Sequence, residues 1–498
     1  VSDIAHRVDL TESSFPLLTE ELGQTVLVPN IRGRESREER NQPQLYYCHN
    51  VVPKDRGIGS VGFISVLAAV PSVTTFSEPR VIFSSSRNRI YLALTTDGNI
   101  YSSALSASPV WQRVSSTQNF VGRGIAIGTV NGISYIYFSN LGAFTCLESN
   151  NSLVSAPLTG INLANSLGVV ASSGYLVVYT EDALAWSSTV DPTDFTPSDI
   201  TGAGGANVSE IEGKITFCLP NSTGFIIYTE TNSVSATFSG NKRFPFKFKA
   251  IDNSKGAENI EFAAYEANSA EHFVYSKAGL QSLNSRRATT LLPELTDFLS
   301  GKVFEDFDED TDSFVITELT SSMLKKLKLI ASRYLVISYG VTTYTHALIY
   351  DISLKKMGKL KITHVDVFEY INDQEETAKE SVAFLLASGE VKLLDSSSTA
   401  TSSGVAIFGK FQYIRNRLLE LSHVKVQTVK STDTFSITDL VSLDGDTVSS
   451  KVLGTIGTLA AKYRKYYFRT FGINHTLVLK GKFNLFTLAL SFKSRGKR

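Results

Sequence analysis

Apolar residues along this chain fall into short runs, many alternating with polar positions, and turn-forming dipeptides separate the runs. Period-two alternation marks a half-buried strand. Arg89-Ile90-Tyr91-Leu92-Ala93-Leu94 and Ile100-Tyr101 flank Asp97-Gly98. An Asp-Gly pair supplies the positive φ values of a type I′ hairpin turn. The device recurs. Asn131-Gly132 separates Gly124 to Ile127 from Ser134 to Phe138. Ser173-Gly174 separates Gly168 to Val170 from Tyr175 to Tyr179, and Glu212-Gly213 precedes Lys214 to Leu219. The glycines at 98, 132, 174 and 213 stand 34, 42 and 39 residues apart. A repeat near 40 residues, each unit carrying an apolar hairpin, has the size of one four-stranded propeller blade. A lone hairpin cannot bury both faces, whereas blades stacked around an axis can. Less regular units follow at His272 to Leu283, Arg333 to Leu354 and Ser381 to Leu394. The fold class expected is all-β, with a β-propeller over residues 61–400. A pair of large β-sandwiches competes, because sandwiches carry turn signals at similar density.

The flanks differ from this middle. Residues 1–60 are polar and held extended by Pro29, Pro43 and Pro53, with a short helix expected ahead of Leu22. Asn30 to Arg40 mixes Arg32, Arg34, Arg37 and Arg40 with three Glu and has no apolar face. It reads as a solvated arm or as an arm between subunits. A polar low-complexity loop at Ser396 to Ser403 precedes residues 401–498, which look like strands again. The two flanks are expected to combine into a smaller β-rich platform domain. Within the middle region, Val61 to Val70 suggests a buried strand and Leu291 to Leu299 a short helix. Glu305 to Asp312 suggests a solvated acidic loop or an interface patch, and Thr320 to Ile330 an amphipathic helix or an edge strand.

Thirty Phe and 20 Tyr against two Trp and two Met strengthen the β reading. The formal net charge is zero, so no global field draws the chain to nucleic acid or membrane. The charge is segregated, however. From Lys451 to Arg498 there are eleven basic residues and no acidic one, with aromatics between them. Lys462, Arg464, Lys465, Arg469, Lys480 and Lys482 are therefore candidates for facing DNA or an acidic partner subunit. Plain strands with one buried face would carry the same aromatics. Cys48, Cys146 and Cys218 are too far apart for a disulfide framework or a zinc site, and the seven histidines are scattered. Asp306, Asp308, Asp310 and Asp312 begin like a calcium loop, but Thr311 stands where glycine is needed and Thr317 where the bidentate Glu belongs. No nucleophile elbow is present, and Gly202-Ala203-Gly204-Gly205 lacks the Lys-Ser/Thr of a phosphate loop. The expectation is a protein without enzymatic activity, cofactor or metal. No apolar run approaches the roughly 18 residues of a membrane span, and Val1-Ser2-Asp3-Ile4 is no secretion signal.

One stretch fits neither strand nor helix: Trp186 to Ile215, WSSTVDPTDFTPSDITGAGGANVSEIEGKI. Asp191-Pro192 and Thr196-Pro197 turn it, Gly202 and Gly204 free its backbone, and Trp186 and Phe195 anchor it. Long ordered loops of this kind are functional or form interfaces. The stretch resembles the tail hub or nozzle (tail tubular, packaged-DNA-stabilising) proteins of short-tailed bacteriophages. Gln44 to Pro53 followed by Ser60-Val61-Gly62 is similar to that family's N-terminal part. Arg469, Gly472-Ile473-Asn474-His475 and Gly481 to Leu485 are similar to its C-terminal platform segment. The resemblance implies a β-propeller, a virion location in the phage tail after synthesis in the host cytoplasm, and a homo-hexameric ring or tube. It also implies an adaptor or portal-side ring and other tail proteins as partners, and a lumen that retains and conducts genomic DNA through weak, sequence-blind contact. The alternative is a propeller that binds a host-surface glycan or a protein. A propeller hydrolase is a third option, for which no carboxylate pair stands out.

Overall fold

The computed structural model describes residues 4–8, 25–28, 45–54, 57–67, 80–84, 89–93, 100–104, 111–113, 124–130, 133–140, 143–147, 153–155, 158–162, 165–276, 278–292, 303–308, 313–318, 326–372, 379–395, 403–413, 418–428, 434–443, 448–456 and 463–494. Among them the hairpins read from the sequence pair as expected. Leu92 lies across from Tyr101, Ile127 from Ile136 and Val170 from Val177. Ser173 and Gly174 take φ of 52° and 82°, the positive pair that a tight antiparallel turn demands.

Among the described residues each of these hairpins belongs to a four-stranded antiparallel unit; six units are meanders of consecutive strands and a seventh borrows its fourth strand from earlier in the chain. Their first strands are Arg80–Ser84, Gly124–Val130, Gly168–Ser172, Ile215–Asn221, Ala263–Glu266, Lys326–Ala331 and Asp366–Asn372. These open blades one to seven. The first strand of blade two touches that of blade three, three touches four, and so on to seven, which touches one. The units therefore follow one another with their first strands in contact, blade seven reaching back to blade one, and the fold is a β-propeller rather than a pair of sandwiches. Blade seven closes the ring with a strand from elsewhere. Its inner three strands are Asp366–Asn372, Lys379–Leu385 and Val391–Asp395, and its outermost is Gly62–Leu67, with Asp395 opposite Gly62.

Several local expectations are corrected. Gly62–Leu67 is an outermost strand with Ile64 48% exposed, not a buried one. Of the two readings of 320–330 the edge strand holds for 326–331: Leu327, Leu329 and Ala331 are buried while the residues between them are half-exposed. The acidic segment is no simple loop. Val303–Asp308 pairs with Ser313–Glu318 in a hairpin inserted between blades five and six, which puts Glu305, Asp306 and Asp308 on a strand. The helices expected before Leu22 and over 293–299, and the arginine arm at 30–40, lie outside the described residues. The turn glycines also mark different points of their blades. Gly132 and Gly174 follow first strands, whereas Gly213 sits in the link between blades three and four.

The two flanks build the platform as two packed sheets. One carries Ile4–Val8, Asn484–Ser494, Leu419–Thr428 and, at its edge, Tyr463–Gly472. It continues through Gly57–Ser60 and Val51–Lys54 into Lys356–His364, the outer strand of blade six. The other carries Thr25–Val28 and Leu45–His49 on Gly404–Tyr413, then Asn474–Lys482, Thr434–Ser442 and Val448–Ile456. Leu421, Val424, Leu488 and Phe492 of the first sheet share a core with Ile407, Phe411, Leu477 and Leu479 of the second. Each such side chain contributes about 1.5–3 kcal/mol on burial. The same cluster runs on into Phe273 and Leu280 of blade five and Leu327 and Leu335 of blade six. Platform and propeller thus share one apolar core.

Candidate functional site

The stretches that carried the family resemblance at the two ends of the chain meet at this junction. Asn50 is in the left-handed region at φ 50°, a conformation asparagine tolerates better than most residues. Its side chain accepts from the Lys361 amide of blade six at 3.0 Å and donates to the Ser403 carbonyl at 3.4 Å. Its own carbonyl accepts from Val61 N at 2.8 Å, where the chain leaves for blade seven. Gly404 must lack a side chain there, because a Cβ would stand 2.8 Å from the Asn50 carbonyl oxygen. Ser60 binds the C-terminal stretch three times: its amide donates to the Phe483 carbonyl at 2.8 Å, and its hydroxyl donates to the same carbonyl at 3.3 Å and accepts from Phe483 N at 3.0 Å. Phe483 itself is fully buried.

From the junction the platform presents its edge strand, Tyr463–Gly472. The alternation in YRKYYFRTFG decides which residues face out. Lys465, Tyr467, Arg469 and Phe471 are exposed, while Tyr466 and Phe468 are half-buried and Thr470 is buried. Tyr467 is 74% exposed, and the Lys465 ammonium lies 4.7 Å from its ring centroid, a cation–π contact. The register places Lys425 directly across from Lys465. Like charges opposite each other on an antiparallel pair repel, so this pair favours a bound anion over bare solvent. Arg469 Nε stands 3.3 Å from the carboxylate of Glu420, which lies on the neighbouring strand of the same sheet and is only 3% exposed. On the neighbouring sheet's edge, Lys451 Nζ reaches the Arg469 carbonyl at 3.2 Å, and Val452 is 67% exposed.

Beneath this stripe a buried polar cluster ties the two platform sheets together. Thr470 donates to Asp439 Oδ2 at 2.6 Å, and His475 Nδ1 lies 2.9 Å from the same oxygen. His475 Nε2 donates to the Leu419 carbonyl at 3.2 Å. Both Asp439 and His475 are fully buried. Nε2 carries a hydrogen because a carbonyl can only accept, and Asp439 Oδ2, held by Thr470 and beside Nδ1, joins strands of both sheets.

The six basic candidates do not form one patch. Lys465 and Arg469 share the outer face of the edge strand. Arg464 is paired opposite Val426. Lys480 and Lys482 lie on Asn474–Lys482 in the other sheet, and Lys462 and the four arginines at 32, 34, 37 and 40 lie outside the described residues. Lys425 and Glu420 were not singled out from the sequence, whereas Tyr467 and Phe471 are among the aromatics that interleave the basic residues there. The alternation about Arg469 signalled the last two, while the first two needed the register.

The 186–204 loop serves packing inside the chain. Trp186 ends the third strand of blade three and Gly204 begins the fourth. Trp186 is 6% exposed and meets Phe246 of blade four edge-on at 5.7 Å. A Cβ on Gly204 would press the indole nitrogen at 3.3 Å. Phe195 is 2% exposed against Val169, Leu176 and Val178, and its amide donates to the Thr159 carbonyl at 2.9 Å. Asp191, before Pro192, accepts from Thr193 N at 2.9 Å. Hydrogen bonds from Thr196 hold the Asp194 carboxyl below its usual range. Gly202, at φ 80°, packs beside the Tyr175 hydroxyl. Ile200, Val190 and Phe244 stand out from this end at 82%, 63% and 64% exposure.

Cys48 and Cys218 are buried free thiols; burial pushes Cys48 up to about 12 and Cys218 well up, so both stay protonated. Among the described residues no group of His, Cys, Asp and Glu could hold a metal ion, and no helix is long and apolar enough to cross a membrane.

No protein-family model and no curated protein matches the chain. Solved structures do. A streptogramin B lyase is similar at 10% identity and a TM-score of 0.41, over 67% of this chain and 97% of the lyase. The extracellular domain of a putative hybrid two component system from B. thetaiotaomicron is similar at 10% identity and 0.43, over 93% of this chain and 64% of that one. The Swd1 β-propeller domain from Myceliophteria thermophila is similar at 10% identity and 0.37, over 65% of this chain and 98% of the domain. The ring of seven blades defines the class to which the chain belongs: β-propeller proteins with a terminal-strand platform.

Proposed function

We propose that this chain is a structural component of a short-tailed bacteriophage tail, a hub or nozzle subunit. Six copies form a ring or tube that joins an adaptor or portal-side ring to the rest of the tail. The genome is retained there and then passes through during ejection. The observation that carries this reading is the meeting of Ser60 with Phe483 at the platform–propeller junction, where Asn50 ties Ser403 to blade six. These stretches, far apart in sequence, are those that resemble the tail family, and they serve one shared structure. The exposed stripe of Lys465, Tyr467, Arg469 and Phe471 supports a role facing DNA or an acidic neighbour. A ring multiplies each subunit's few cations around one lumen, and weak, sequence-blind phosphate contact lets DNA slide. The chain is made in the host cytoplasm and ends in the virion.

Cryo-electron microscopy of the source virion tests this. The expected result is six copies around the tail axis with the edge strand toward the channel. Absence of the chain from the particle refutes the tail role and moves the assignment to a free glycan- or protein-binding propeller. Presence with the stripe against another subunit keeps the tail role and assigns the basic residues to an acidic partner.

A further inference from the structure

We propose that the cleft between blades four and five is a binding site for a neutral saccharide of one or two sugar rings. The cleft has a volume of about 420 Å³ and is built from three separate turns. Glu230 and Thr231 come from the turn between the second and third strands of blade four, Lys255 to Phe262 from the link between the blades, and Tyr275 to Ala278 from the matching turn of blade five.

Its floor is fixed by backbone. Ala257 N donates to the Thr229 carbonyl at 3.0 Å, and Lys255 N donates to the Gln281 side chain at 3.1 Å. Gly256 passes so close to the opposite turn that a Cβ would lie 2.2 Å from the Glu230 carbonyl carbon. Only glycine allows that approach, which seats the two carboxylates of Glu230 and Glu258 and the Lys255 ammonium around one opening. One wall is aromatic: Tyr275 and Phe262 meet edge-on at 6.0 Å and 74°. The Tyr275 hydroxyl makes no hydrogen bond among the described residues, although the side chain is half-buried.

The mixture of groups selects the ligand class. Two carboxylates oppose an anion and the ammonium opposes a cation, so a neutral molecule is the better fit. Carboxylates accept from adjacent hydroxyls, ammonium and phenol groups donate to ring and hydroxyl oxygens, and an aromatic wall packs the C–H face of a pyranose. The volume is that of a small-molecule site. Turns between second and third strands and links between blades open on one face of the propeller. The platform joins at the other, where Asp395 and Gly62 pair, so a ligand in the cleft does not compete with the platform. The site does not depend on the tail reading and survives its failure.

Saturation-transfer NMR on the full chain tests the proposal, with a panel of neutral hexoses, N-acetylhexosamines and their disaccharides as probes. Inorganic phosphate and spermidine serve as charged probes. Transfer to the ring protons of at least one saccharide is expected. Glu230→Gln, at an exposed position, weakens it about tenfold, and Tyr275→Phe, which removes only the hydroxyl, weakens it several-fold. Tyr275→Phe keeps the ring contact with Phe262 and Glu230 is exposed, so folding is preserved. The proposal is overturned if no saccharide shows transfer, if only a charged probe binds, or if saccharide binding is unchanged in both variants.

Discussion

Removing the Asp439 carboxylate is the sharpest test of what holds the platform together. The group is fully buried and accepts at 2.6 Å from Thr470 and at 2.9 Å from His475. In Asp439→Ala the His475 ring keeps only its bond to the Leu419 carbonyl, and the Thr470 hydroxyl loses its acceptor. Breaking a buried hydrogen-bonded pair from one side costs about 3–5 kcal/mol. Thr470→Val removes one hydrogen bond while leaving the pair intact, and costs about 1 kcal/mol. The assay is hydrogen exchange by mass spectrometry on peptides covering 434–442 and 463–482, across a urea series. Both tryptophans, at 111 and 186, lie in the propeller region, so their fluorescence follows the propeller separately. The expected outcome is early loss of protection in the platform strands of Asp439→Ala, with the fluorescence transition shifted less. A cost below about 1 kcal/mol, or one no larger than that of Thr470→Val, would show that the cluster is incidental to stability.

Four further outcomes follow from the same geometry. Lys328 of blade six pairs with Asp366 of blade seven, which is 3% exposed; Lys328→Ala should cost about 3 kcal/mol by urea midpoint, and Lys328→Met with Asp366→Leu should recover most of it. Gly256→Ala should cost about 2–3 kcal/mol, read in the same way, because backbone on the opposite turn must move. Burial pushes His272 down to about 3 and His364 down to about 4, from 6.5. Unfolded chains therefore take up these protons first as pH falls, so stability is at its full value above about pH 6.5 and declines toward pH 4 by up to about 1.4 kcal/mol per unit per ring. His272→Phe should flatten that decline in a series of urea midpoints. Lys465→Glu with Lys425→Glu should lower non-specific DNA affinity of the assembled ring and reduce its salt slope by roughly 0.9 for each phosphate that is no longer neutralised; an unchanged slope would separate this face from DNA.

What the sequence made legible was whatever is local. A hairpin such as Gly168 to Tyr179 announces itself through alternation and a Ser-Gly turn, and the repeat length follows from several hairpins in series. The number of blades was not legible. The glycines mark different corners of their blades, and the hairpin at 303–318 stretches one interval. Nothing within Gly62–Leu67 says that it belongs beside Val391–Asp395; that pairing is fixed by ring closure. The same limit applied to the candidate site. The outward residues of Tyr463–Gly472 could be read from period two, but Lys425 opposite Lys465 is a fact of register. The cleft was invisible because its lining comes from three turns that meet only when two blades stack. The 186–204 loop was recognised as ordered and aromatic-pinned, yet its anchors turn inward to blades three and four.

The pairing of Gly62–Leu67 with Val391–Asp395 has a consequence for how the protein is made. During synthesis the strand that seals the ring emerges early and waits for nearly the whole propeller to follow. The platform strands at 45–60 wait longer still, for partners at 404–413 and 484–485. Every partly made chain therefore carries unpaired strand edges, and long-range pairings of this kind are slow to form. The propeller has all its strands once residues 391–395 are made, whereas the platform still waits for the strand at 484–494. Closure of the propeller and closure of the platform are therefore successive events, and the platform's edges are the last to be matched.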